Sequence, residues 1–153
     1  MSATTPLGAV GKGLVAGAVG TAAMTAVQTA VAKARDQEDS TTPAEVAKRI
    51  IRGVLQRDVP EEKTELLNNV MHWGYGTSWG AVYGLVQGTV AGSAFKHGAL
   101  FGAGVWSASL VQLPAMKLAP PVWEYPPAEL ALEVGYHVVY GLGAAAAYAA
   151  LDR

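Results

Sequence analysis

Hydrophobic and polar positions divide the chain into four nearly uncharged stretches and one charged interval. Gly13 to Ala32 carries no charge, and about 20 residues at 1.5 Å rise cover the roughly 30 Å hydrocarbon core of a bilayer. Val70 to Phe95 is interrupted only by His72, and Gly98 to Met116 stops at Lys117 and the pair Pro120-Pro121. Val134 to Leu151 ends at Asp152-Arg153. The pattern predicts four transmembrane helices, at residues 13–32, 70–95, 98–116 and 130–151, within one membrane domain over 1–153. The expected fold class is all-α, a four-helix transmembrane bundle. Glycine and alanine are only weakly apolar, so a soluble helical bundle stands as the alternative.

The charged interval runs from Lys33 to Glu65. Within it, Thr42-Pro43-Ala44-Glu45 has the form of a capping box with proline at the first helical position. Val46, Ile50, Ile51, Val54 and Leu55 then share one face, flanked by Lys48, Arg49, Arg52 and Arg57. This pattern predicts an amphipathic interfacial helix over 43–57 in the first loop; a helix packed on the protein's own bundle would share it. Asp58 and Pro60 end it, and Pro60-Glu61-Glu62 opens the next helix with acids at its positive dipole end.

Composition sharpens this picture. Hydrophobic residues make up 51% and charged residues 15%, against roughly 25% charged in soluble domains. A net charge of -1 provides no basic face for nucleic acid. The absence of cysteine excludes disulfides, thiolate metal sites and cysteine nucleophiles. Ala30-Val31-Ala32 mimics a signal-cleavage site, but Lys12 is the one basic residue ahead of that stretch, which favours a retained span. Lys and Arg residues of the first and third loops outnumber those at the opposite ends, placing these two loops in the cytoplasm. Trp73, Trp123 and Tyr125 fall at that interface. The third loop holds five prolines, Pro114 to Pro127, which predict a rigid, non-helical turn. In it, Trp123 and Tyr125 are interface or partner-docking candidates.

The sequence HxxYG occurs twice, from His72 to Gly76 and from His137 to Gly141. Further matches at Gly80/Ala145, Tyr83/Tyr148 and Gly84/Ala149 extend it, and the first and third spans open with Gly13/Gly17 and Gly98/Gly102. The spacing predicts two pseudo-repeated helical hairpins. Gly76, Gly80, Gly84 and Gly88 follow at four-residue intervals, a glycine zipper that lets another helix backbone approach.

Ionisable groups at membrane depth are costly, so His72, Glu133 and His137 are the first places to look for function. The bland expectation is local hydrogen bonding, Asn68 with His72 and Glu133 with His137, helped by Tyr75 and Tyr140. The sharper ones are a haem b or metal module with His72 and His137 as ligands, and a small transporter, channel or proton relay using Glu133 and His137. No serine nucleophile, phosphate loop or paired-carboxylate site is visible, so no enzymatic activity is expected.

His97 to Gly143, with Pro114/Met116, Pro120-Pro121-Val122-Trp123 and Glu133-x-x-x-His137, resembles the bacterial inner-membrane family typified by YagU. That resemblance implies a polytopic protein of the bacterial inner membrane and brings no established activity with it. The expected role is a non-enzymatic accessory, scaffold or assembly subunit whose partners are the lipid bilayer and either further copies of itself or a larger membrane complex.

Overall fold

The computed structural model describes residues 5–38, 40–90 and 92–153. Among the described residues five α-helices follow in order: α1 (Pro6–Ala34), α2 (Thr42–Leu55), α3 (Thr64–Thr89), α4 (Ala94–Ala115) and α5 (Pro127–Leu151). Short 3-10 turns at Glu61–Lys63 and Val122–Glu124 precede α3 and α5, and no strand occurs among the described residues. By length and composition, α1 and α5 are able to cross a membrane, which points to membrane association. Polar and glycine positions keep α3 and α4 below the same hydropathy, although they are 26 and 22 residues long.

Several helix ends differ from the sequence expectation, each for a local reason. Thr5 caps α1 by accepting the Gly8 N–H at 3.1 Å, and Pro6 presets the first turn, so α1 begins at Pro6 and not at Gly13. Lys12 does not interrupt it, because its ammonium reaches Asp152 at the end of α5, 2.7 Å away. At its far end α3 stops at Thr89: Val90 is extended and Gly92 adopts φ 153°, a conformation glycine reaches without strain. The proline-rich loop is not wholly irregular. Pro114 lies inside α4, and Pro121 leads into the turn at Val122–Glu124.

The central element is α1, packed between α3 and α5, with α4 on the far side of α5. All three contacts run antiparallel. On the α3 side, Gly13 faces Gly80 and Gly17 faces Gly76, while Gly84 faces Ala9. On the α5 side, Gly20 lies against the Tyr140 backbone and Gly143 against Gly20 and Ala23. Between α4 and α5, Gly98 meets Gly141, and Gly102 meets the His137 carbonyl. Missing side chains at these positions let main chains touch. Gly88 has slack: a Cβ there would stand 3.5 Å from the Ala9 methyl.

The first turns of α2 pack on α3, burying Ala44, Val46 and Ala47. The expected capping box does not form. Thr41 and Thr42 make no side-chain cap, and the Ala44 N–H is taken by Asn68 Oδ1 of α3 at 3.1 Å. Asn68 Nδ2 donates to the Ser40 carbonyl at 3.0 Å. Packing against a neighbouring helix thus replaces local capping, and Asn68 is spent there instead of on His72. Lys48 adds an exposed link to Glu61 (3.0 Å) and Glu45 (3.2 Å). The bond from Lys48 holds the Glu61 carboxyl below its usual range, and the same bond holds the Lys48 ammonium above its own. The link therefore operates above the ordinary carboxylate range, weakens as pH falls through the lowered Glu61 value, and is lost again when Lys48 deprotonates.

Asn68→Ala is expected to loosen the start of α2 by about 1–3 kcal/mol, since two backbone groups lose their partner. Hydrogen exchange would show this as faster amide exchange over 42–48 with the bundle helices unchanged.

Candidate functional site

His72, Tyr75, Glu133, His137 and Tyr140 lie toward the end of the bundle that carries α2 and the proline-rich loop. The register explains it, because α3 and α5 both run antiparallel to α1 and so parallel to each other. Tyr140 Oη donates to the Gly76 carbonyl at 2.6 Å, and the two histidines sit about one turn before these residues on α5 and α3.

Their hydrogen bonds, however, go elsewhere than to each other. Thr21 Oγ1 donates to the Gly17 carbonyl (2.8 Å) and Thr25 Oγ1 to the Thr21 carbonyl (2.9 Å). His72 Nε2 lies 2.9 Å from Thr25 Oγ1. With the threonine proton already committed, His72 Nε2 is the donor. His137 Nδ1 lies 2.9 Å from the backbone carbonyl of Glu133, so this nitrogen carries the proton and Nε2 is left as acceptor. The Glu133 carboxylate is not the partner of His137. Tyr75 Oη donates to Gln112 Oε1 of α4 at 3.3 Å. Burial first, then the Glu133 and Glu129 carboxylates, pushes the Tyr125 hydroxyl up from the usual tyrosine value. Trp123, at 80% exposure, stands clear of the bundle.

Beyond this level the interior is aromatic. Tyr75 meets Trp79 edge-on at 6.0 Å, Trp79 meets Phe101 at 6.0 Å, and Phe101 lies 5.1 Å from Tyr83 and 6.2 Å from Tyr140. Tyr83 continues to Tyr148 at 5.9 Å. These rings bridge α3 and α4, whose backbones barely touch. Outside the rings the same seam is a groove of about 470 Å³ between Trp79, Val86, Leu100 and Phe101. At its end, Gln87 Oε1 is 2.9 Å from His97 Nδ1, and the Tyr83 hydroxyl is shared between Gln87 and the Ala94 carbonyl.

Thr25, Gln112, Gln87, His97 and the aromatic chain escape the sequence reading. The pair Thr21/Thr25 did carry a signal, because it continues the Gly13/Gly17 row of α1 that faces α3. No group of three His, Asp or Glu side chains converges as a metal set among the described residues.

Two buried tyrosines give opposite expectations. Tyr140→Phe removes the bond to the Gly76 carbonyl and should destabilise the bundle by about 1–2 kcal/mol. The Tyr148 hydroxyl is buried with no hydrogen-bond partner among the described residues. Tyr148→Phe is therefore expected to be neutral or stabilising by up to about 1 kcal/mol. Thermal unfolding of both variants in one detergent checks the sign.

Residues 35–146 match a family model described as a protein of unknown function (DUF1440). No curated protein and no solved structure matches the chain.

Proposed function

The chain belongs to the DUF1440 family of proteins of unknown function, and we propose that it is a four-span protein of the bacterial inner membrane acting as a non-enzymatic accessory or scaffold subunit. The observation that carries this reading is how the molecule spends its side chains. Its interior goes to helix-on-helix contact through glycine and to aromatic filling, while Val15, Val19, Val82, Leu85, Leu100 and Val111 point outward. An exterior of this kind suits lipid or other membrane helices.

The likeness to the YagU family supports the bacterial inner membrane, and the distribution of Lys and Arg supports a cytoplasmic end holding α2 and the proline-rich loop. Two duplicated hairpins fit the contacts as well. Gly76 and Gly141, equivalent in the two HxxYG elements, meet Gly17 of α1 and Gly98 of α4. Their neighbours pair Gly98 with Gly17, one turn on from the pairing suggested by the GxxxG openings. The haem and transporter readings gain less. His72 Nε2 is occupied by Thr25, and aromatic rings fill the level beyond Glu133 and His137.

Extraction in mild detergent followed by native mass spectrometry tests the proposal. The expected result is a protein that stays with membranes until detergent is added and then runs as a defined oligomer or with a constant partner. A folded species in the aqueous fraction overturns the membrane reading, and a monomer that co-purifies with nothing overturns the scaffold. A Soret band in fresh material would replace the scaffold with the haem module.

A further inference from the structure

Only part of the apolar face of α2 is covered by α3. Ala44, Val46 and Ala47 are buried, but Ile50 is 43%, Leu55 61% and Val54 74% exposed. The helix is clamped to α3 at its start and closed by a local cap at its end. Asn68 clamps its start to α3. Gln56 ends it in a left-handed cap, and Arg52 pairs with Asp58 beyond, at 2.7 Å. The uncovered edge is thus presented by the fold and is not a frayed terminus.

Charge along α2 is divided in the same way. Lys48 is taken by Glu45 and Glu61, and Arg52 by Asp58. Arg49 and Arg57 are exposed and form no ion pair among the described residues. Arg49 lies one turn ahead of Gly53 on the row beside Val46, Ile50 and Val54, and Arg57 follows just past the helix end. An aliphatic strip bordered by unpaired guanidinium groups matches the boundary between acyl chains and phosphate headgroups: methyl groups sink while the guanidinium groups bind phosphate oxygens.

We propose that the exposed edge formed by Ile50, Val54, Arg49 and Arg57 docks on anionic phospholipid headgroups, so that α2 is a lipid-reading arm fixed to α3. The inference rests on the membrane reading above. It adds the partner and its charge.

The chain has no cysteine, so single substitutions label cleanly. Val54→Cys and Val19→Cys each carry an environment-sensitive fluorophore in the full chain, reconstituted into vesicles of phosphatidylcholine alone or mixed with phosphatidylglycerol. The Val19 label, outward on α1, is expected to be quenched by deep-labelled lipid in both. The Val54 label is expected to be quenched by headgroup-proximal lipid, and more strongly in the anionic vesicles. At about fivefold per arginine, Arg49→Gln with Arg57→Gln should shift the docked-to-undocked ratio roughly thirtyfold and erase the difference between the vesicles.

Equal quenching in both vesicles overturns the choice of anionic lipid. A Val54 label open to aqueous iodide, with the Val19 label deep, overturns the docking and leaves the membrane reading standing. Shielding from both iodide and lipid quenchers assigns the edge to protein contact and overturns the proposal too. If the Val19 label is itself open to iodide, the membrane reading and the arm fall together.

Discussion

Gly80→Leu is expected to part α1 from α3 and to unfold the bundle. A Cβ at this position would fall on the Gly13 carbonyl and the Gly17 Cα, and 2.6 Å from the Gly17 nitrogen. These are main-chain atoms, which cannot turn aside as a flexible side chain does, so the two helices must separate. Excess methylenes in a packed core cost about 1–3 kcal/mol, and a leucine driven against backbone should cost about 3 kcal/mol or more. Gly74→Leu provides the control. A Cβ at Gly74 meets nothing within 4 Å, and leucine favours helix more than glycine does, so this variant should stay within about 1 kcal/mol of the parent. Thermal unfolding in mild detergent, followed by circular dichroism, separates the two. Equal melting temperatures would mean that the α1/α3 seam does not govern stability.

A second large effect is expected at Tyr83, which is fully buried between Phe101 and Tyr148. Tyr83→Ala removes the ring through which α3 reaches both α4 and α5. Truncating a buried aromatic in a soluble core costs about 3–5 kcal/mol. For a bundle that sits in lipid, as proposed above, the transfer part shrinks, because acyl chains are as apolar as the core, while the lost packing and the cavity remain. About 3 kcal/mol is therefore expected, read from the midpoint of denaturant unfolding in detergent. Tyr83→Phe keeps the ring and gives up only long bonds of 3.3 Å to Gln87 and the Ala94 carbonyl, so its cost should stay near 1 kcal/mol. If alanine and phenylalanine behave alike, the hydroxyl and not the ring matters at this position.

The sequence shows its periodic features and hides those that depend on a partner far along the chain. The four-residue spacing of Gly76, Gly80 and Gly84 marks the stripe that meets α1, because helical period alone puts these residues on one face. The apolar and basic rows of α2 are legible for the same reason. Asn68 is not: its neighbour four residues on is His72, and nothing local reveals that the α2 turn packed above it needs a hydrogen-bond acceptor. Thr25 likewise finds His72 only through the α1/α3 register. The expected polar cluster groups residues by type and depth, which periodicity gives, but bond partners depend on rotamers and on which helix stands opposite. His137 shows this most simply. Its own backbone, one turn earlier, supplies the acceptor that the Glu133 carboxylate was expected to provide. Tyr75, Trp79 and Tyr83 do recur at four-residue intervals on α3, but that this row meets Phe101 of α4 and Tyr148 of α5 depends on which helices stand opposite, and that escapes the sequence.

The sandwiching of α1 has a consequence for biogenesis. Its Gly13/Gly17 row finds a partner once α3 has emerged, but the Gly20 face waits for α5, after α2 and α4 have also been made. Through most of translation, one backbone-lined flank of the earliest helix stays open to any passing small-residue surface. The order of synthesis therefore leaves the α1/α5 seam to close last, when Gly20 meets Tyr140 and Gly143.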